Sequence, residues 1–300
     1  MTIILKIFQG YRIALLHFFS IAQKSIFLMI YLCVAFISQV IYGLDYFDNT
    51  IIAIGYSLGT FIFISIAFTL TYYFTNKKLD NFEIKKLNIQ LLIIGLVIIV
   101  HLVSVFGQFP DSYSLKSMTD PIRTTLHKQI WELGYSGKIN AIIYNFIVCV
   151  ILPLTLIFLV SKQKTGFYFK RINLKILLLL LLLYFPIILF GYKSYNEIIS
   201  DIPYYLFIAA IPEEILYRGF LQSRLEKKLK NPVNAILISS LIFGFIHLPI
   251  NIKMYGEVTG FATCIGNNAF GGLFLGYLFY RTRSIWTVII FHLISGIALT

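Results

Sequence analysis

Ile211-Pro-Glu-Glu-Ile-Leu-Tyr-Arg-Gly-Phe220 sets two carboxylates and a guanidinium inside an otherwise apolar run. An ionisable side chain in such surroundings is costly unless it is paired, so it marks a functional site by default. Two readings follow: a self-neutralising structural cluster, or a reactive site held in lipid by the rest of the chain.

The composition around the stretch favours lipid. The 300 residues are 58% hydrophobic and only 13% charged, with a mean hydropathy of +0.83, far from the usual composition of a soluble globular chain. The net charge of +12 does not indicate nucleic acid, because the basic residues sit between apolar runs and form no basic face on a soluble domain. Cys33, Cys149 and Cys264 lie singly in apolar stretches and read as small core residues, with no C-x-x-C spacing for a disulfide framework or structural zinc. The early apolar stretch runs on through Lys24 with no small-residue cleavage site, so the first segment is expected to remain.

Windows of about 20 mostly apolar residues are what a helix needs to cross a bilayer. They fall at 25–44, 51–74, 88–108, 139–161, 174–192, 203–221, 233–250, 264–280 and 284–299. The fold class is therefore all-α, a polytopic integral membrane helical bundle of eight or nine transmembrane helices. Residues 1–24 mix Lys6, Arg12 and His17 with apolar residues and read as an interfacial amphipathic helix. Lys and Arg test the segmentation, since they gather in cytoplasmic loops. With the N-terminus cytoplasmic, eighteen of the 25 lie in inside segments and six outside, with Arg218 in a span. The one long loop, 110–138, carries Asp120 to Trp131 and reads as a short surface helix with an aromatic anchor. No internal repeat is visible, which argues against an inverted-repeat transporter.

On a helix Glu214 and Arg218 share a face at i, i+4, whereas Glu213 is turned by roughly 100°. Glu214 thus has a partner that lets it stay charged, and Glu213 can face a cavity and hold or move a proton. Pro212 removes a backbone donor just before the pair and predicts a kink there. Phe243-Gly-Phe-Ile-His247 and Phe291-His292 each add an imidazole on a later apolar span. Either alone reads as a packing histidine; two after a glutamate pair do not. His17, His101 and His127 lack such company. A carboxylate and two imidazoles suffice for peptide hydrolysis, with Glu213 and His247 activating water and His292 stabilising the oxyanion. The same set could instead hold zinc, although H-E-x-x-H is absent. Gly272-x-x-x-Gly276 predicts close helix approach, Gly271 lies beside it, and Asn267 and Asn268 read as helix caps.

Glu213-Glu-Ile-Leu-Tyr-Arg218, Phe243-x-x-x-His247 and His292-Leu-Ile-Ser-Gly296 follow one another in order on apolar spans. In this the chain resembles the CAAX protease and bacteriocin-processing (Abi) family of intramembrane endopeptidases, which includes the type II CAAX prenyl endopeptidases. The resemblance covers about residues 200–299. It implies a membrane-embedded bundle in which Glu213 and His247 activate water, Glu214 and Arg218 support the site, and His292 helps to hold the oxyanion. The family is often named a metalloprotease, for which zinc would sit on Glu213, His247 and His292; the metal-free glutamate account needs no cofactor. The usual amide at the end of the last motif is here Gly296, with Ser295, Asn251 or a backbone N–H as substitutes.

The chain is thus expected to comprise residues 1–24, N-terminal transmembrane helices over 25–170 and a catalytic membrane domain over 174–300. The function expected is endopeptidase cleavage of a membrane-associated peptide or protein within the lipid bilayer, with no nucleic acid involved. Richness in Ile, Lys, Asn, Tyr and Phe suggests an AT-rich bacterial genome, hence a plasma membrane location and a role in bacteriocin maturation, self-immunity or processing of a membrane regulator. The alternatives are a catalytically silent relative acting as scaffold or immunity factor, and a proton-coupled transporter.

Overall fold

The computed structural model describes Arg12 and residues 25–75, 83–108, 137–162, 172–190 and 195–299. The amphipathic helix expected at the N-terminus, apart from Arg12, and the surface helix expected around Trp131 lie outside the described residues. The elements described are helical. α1 is Ile26–Phe47, α2 Thr50–Phe74 and α3 Leu87–Gln108. α4 is a continuous rod of Gly137–Phe146, a π-helical segment Ile147–Ile151, and Leu152–Ser161. α5 is Leu174–Phe190. α6 is built of Tyr195–Tyr205, π-helical Leu206–Ala210, Ile211–Glu214, π-helical Ile215–Gln222, and Ser223–Leu229. α7 is Pro232–Ile246. α8 comprises Leu248–Thr263, π-helical Cys264–Asn268, and Ala269–Thr282, and α9 is Ile285–Leu299.

The helix starts follow local chemistry. Asn49 caps α2 by accepting from the N–H groups of Ile51 and Ile52, and Asn231 caps α7 in the same way, with Pro232 at the first helical position. Four helices among the described residues are long and apolar enough to cross a membrane, or five with the bent pair Pro232–Ile246 and Leu248–Thr282 taken as one span. The protein is an all-helical, multi-pass membrane protein; the larger count of eight or nine rests on the shorter or charged segments as well. Large apolar side chains that face outward, such as Ile51, Leu92, Leu159 and Leu182, suit lipid, which is as apolar as they are. Cys33 faces outward too, contrary to its reading as a core residue, while Cys149 and Cys264 are buried; an apolar run does not tell a lipid-facing position from an interior one.

Alternate helix ends meet on one face of the bundle. Ser25 Oγ donates to Asn234 Oδ1 at 2.6 Å, joining the starts of α1 and α7. Arg281 near the end of α8 donates to Tyr72 O at 2.9 Å near the end of α2, and Arg283 before α9 pairs with Glu226 near the end of α6. Asn173 N donates to Thr287 Oγ1 at 2.9 Å, joining the starts of α5 and α9.

Between α7 and α8 the sequence suggests an outside loop separating spans 233–250 and 264–280. Instead α7 stops at Ile246 and the chain bends by 77°. Pro249 fits the break, since it has no N–H to continue the ladder of α7 and stands in the first turn of the next limb, where a proline is tolerated. The first limb of α8 then reverses at Gly256, whose φ of 78° is open to glycine. The limbs are in tight contact, for a Cβ on Gly260 would lie 2.6 Å from Ile252 N. Asn251 Nδ2 clasps the hairpin by donating to Asn268 Oδ1 at 2.7 Å and to Cys264 Sγ at 3.2 Å. Asn267 and Asn268 therefore lie inside a continuous helix, and the expected capping role fails because no helix begins there.

Candidate active site

The motif Glu213 to Arg218 lies in the middle of α6, between and across two π-helical segments. Such segments occur often at functional sites, because the wider turn re-aims side chains and leaves carbonyls to be satisfied otherwise. Pro212 shows how. Lacking an N–H, it leaves the carbonyl of Ile208, four residues earlier, without its helical donor. Asn145 on α4 supplies one, Nδ2 to Ile208 O at 2.7 Å. The expected kink is thus taken up as a π-helical turn tied to a neighbouring helix.

Glu214 is fully buried and forms an ion pair with the equally buried Arg218, Oε2 to Nε at 3.3 Å. Its other oxygen, Oε1, faces His292 Nδ1 of α9 at 2.8 Å. Glu213, on the neighbouring helical direction, places Oε2 at 3.8 Å from the other ring nitrogen of the same histidine, Nε2. That distance is too long for a hydrogen bond, and Glu213 Oε2 is buried without a hydrogen-bond partner. His292 is therefore bracketed by two carboxylates, Glu214, which is ion-paired with Arg218 although Oε2 and the guanidinium close no hydrogen bond, and Glu213, whose Oε2 has only the His292 ring at 3.8 Å.

Arg218 is also packed from above. Its guanidinium lies 4.9 Å from the centre of the Phe243 ring on α7, a cation–π contact. Gly272 on α8 makes room for both, since a Cβ there would come within 2.9 Å of Phe243 Cδ1 and 3.5 Å of Arg218 Nη2. Gly276 one turn later is crowded by Gln222 and Ile236, whereas Gly271 faces open space. The close approach expected of Gly272 and Gly276 is present.

His247 stands at the break after α7 with φ −85° and ψ −4°, in the sparsely used bridge region where many active-site residues sit. Its Nδ1 lies 2.9 Å from the carbonyl of Phe243. A carbonyl only accepts, so Nδ1 carries the proton and Nε2 is the ring nitrogen that Phe243 does not engage. His247 lies within electrostatic range of Glu213, and its depth is set by the break in α7 rather than by the end of a full span. Asn251 and Ser295 are not brought to the carboxylates. The Asn251 amide is committed to Asn268 and Cys264, and Ser295 Oγ donates to the carbonyl of His292 at 3.0 Å.

Helices α3 and α4 add groups that sequence reading left out. His101 on α3 is buried with Nδ1 unpartnered, stacks on Tyr144 with centroids 6.3 Å apart, and lies within electrostatic range of His247. Cys149 of α4 is similarly close to Glu213 and Tyr217, and the buried hydroxyl of Tyr217 has no hydrogen-bond partner. The available signal was position: His101 is an ionisable residue well inside an apolar span.

A zinc site needs at least three converging donors. Among the described residues no three His, Cys, Asp or Glu side chains stand at ligand spacing. The groups that would hold a zinc are Glu213 and the Nε2 atoms of His247 and His292, since each Nδ1 is engaged by Phe243 O or Glu214 as the second nitrogen of a metal-bound histidine usually is.

The fold and site define a polytopic helical membrane protein with a glutamate–histidine cluster made by α6, α7 and α9, buried at Glu214 and half-buried at Glu213, His247 and His292. Residues 195–297 match the family model described as type II CAAX prenyl endopeptidase Rce1-like. The resemblance to the CAAX protease family, read from three short motifs, is thereby supported over the C-terminal third of the chain. No curated protein and no solved structure matches this chain.

Proposed function

We propose that this protein is an intramembrane endopeptidase that hydrolyses a peptide bond of a membrane-associated peptide or protein, with residues 174–300 as its catalytic domain. The observation that carries the reading is the bracket around His292. It joins groups 78 residues apart in the chain, and a Glu214–Arg218 pair that was only structural would need no histidine. Glu213 is the base: its orphaned oxygen takes a proton from water as the water oxygen attacks the carbonyl carbon. His247, with Nδ1 held by Phe243, offers Nε2 to orient the same water. His292, with Nδ1 held by Glu214, offers Nε2 beside the nascent oxyanion. When the C–N bond breaks, the amine leaves with the proton that Glu213 took. Glu214 and Arg218 fix His292 and do not react.

The test is cleavage of membrane-tethered peptides by purified protein, compared with Glu213→Ala and His247→Ala at equal expression. Each variant is expected to lose about 10²–10⁴-fold in turnover; unchanged cleavage in both removes the proposed base. Gly296 favours a second reading, a catalytically silent relative serving as scaffold or immunity factor. That reading expects Glu213→Gln to keep the cellular phenotype, and loss of the phenotype counts against it. The location is a bacterial plasma membrane with the N-terminus cytoplasmic, and the substrate a bacteriocin-like peptide or membrane regulator.

A further inference from the structure

Where α3 begins and α6 ends, a cavity of about 450 Å³ is lined by Lys86, Leu87, Asn88, Ile89, Lys227 and Lys228. Three of its six lining residues carry ammonium groups and none carries a carboxylate. Two of the ammonium groups are held in place: Lys86 Nζ donates to Val160 O at 3.0 Å, and Lys228 Nζ donates to Asn88 Oδ1 at 2.7 Å. An ammonium has three N–H donors, so each keeps capacity for an acceptor in the cavity. The backbone of Lys86 is in the left-handed region with φ 54°, a conformation that a side chain other than Gly, Asn or Asp adopts at some cost.

From this cavity the exposed side chains Ile89, Leu92, Leu96 and Ile99 follow one another at helical spacing along α3 toward the bilayer interior. Anion-binding groups at the membrane surface thus open onto an apolar track. A free phosphate would use the first and have no use for the second. We propose that this cavity binds an anionic phospholipid, its phosphate among Lys86, Lys227 and Lys228 and an acyl chain along the α3 track. Like charges of the three lysines repel one another, and a phosphate between them offsets that repulsion. The bound lipid joins α3 to the end of α6, the helix that carries Glu213, Glu214 and Arg218. The inference does not depend on the proposed peptidase activity.

The experiment uses the full chain in nanodiscs of phosphatidylcholine with and without phosphatidylglycerol, with a third arm of phosphatidylcholine plus inorganic phosphate. Phosphatidylglycerol retention is read by native mass spectrometry and stability by thermal unfolding. Phosphatidylglycerol is expected to be retained and to raise the unfolding temperature. The Lys86→Ala/Lys227→Ala/Lys228→Ala variant is expected to hold it about a hundredfold more weakly, the loss due to three lysine contacts with an anionic headgroup. The corresponding triple Arg variant keeps it. Equal retention by the alanine variant overturns the proposal, as does full stabilisation by inorganic phosphate in phosphatidylcholine alone. Should the triple alanine variant fail to fold, Lys228→Met carries the same comparison.

Discussion

A carboxylate wholly removed from water stays charged only against a fixed cation, and Glu214 has Arg218 for that purpose. Glu213 Oε2 has only the His292 ring, at 3.8 Å, so the two adjacent residues are expected to fail differently. Glu214→Gln leaves the buried Arg218 uncompensated and should cost about 3–5 kcal/mol of stability, as removal of one member of a buried pair does. Glu213→Gln should leave thermal stability nearly unchanged and abolish turnover. Thermal unfolding of both variants in the same detergent checks this, and equal losses would erase the distinction. Gly296 lies one helical turn beyond His292, and apart from its chain neighbours and its own helix backbone no atom lies within 4 Å of where its Cβ would be. Gly296→Asn therefore enters open space, at no helix-propensity cost. If a donor there serves the oxyanion, turnover should rise, by up to about 10²-fold as one such hydrogen bond allows; an unchanged rate in a folded variant would show that position 296 takes no part.

The π-helical turns are where the helices depart most from what apolar spacing foretells. The length of the apolar runs locates α1 to α5 and α9 to within a few residues, because lipid-facing and core residues are both apolar over the whole length of a span. The same uniformity hides a shift from i−4 to i−5 bonding, the reversal at Gly256, and the end of α7 at Ile246, each set by a single Pro, Gly or distant side chain. Asn145 illustrates the point: nothing local marks it as the donor to Ile208 O on another helix. Asn145→Ala should destabilise the protein by about 1–3 kcal/mol by leaving that carbonyl unsatisfied. Pro212→Ala restores a backbone N–H four residues on, so in the double variant most of that cost should disappear. A double-mutant cycle on thermal stability reads the coupling, and strictly additive losses would show that Asn145 does not answer for the missing proline donor.

At the scale of the molecule, the glutamate pair, Arg218, His247 and His292 were legible because each stands out as ionisable in an apolar run. His101 stands out in the same way, but only the packing of α3 against the C-terminal helices brings it to the cluster, and Cys149 and Tyr217 carry no such mark. That packing depends on the helices alternating in direction. The starts of α1, α3, α5, α7 and α9 share a face with the ends of α2, α4, α6 and α8, as the contacts of Lys86 with Val160, Lys228 with Asn88 and Arg281 with Tyr72 require. On the other face the end of α1 meets the α8 hairpin through Tyr42 and Tyr255, ring centroids 5.6 Å apart. Lys162 and Lys230 are exposed on the first face, Asp48 and Glu257 on the second. Lys and Arg gather on the first face, which the positive-inside rule assigns to the cytoplasm. In a chain whose Cys33, Cys149 and Cys264 are replaced, single cysteines at 48 and 257 should react with a membrane-impermeant maleimide on intact cells. Cysteines at 162 and 230 should react only after permeabilisation. The reverse pattern would invert the orientation while keeping the alternation; labelling of 162 and 48 from the same side would break the alternation itself.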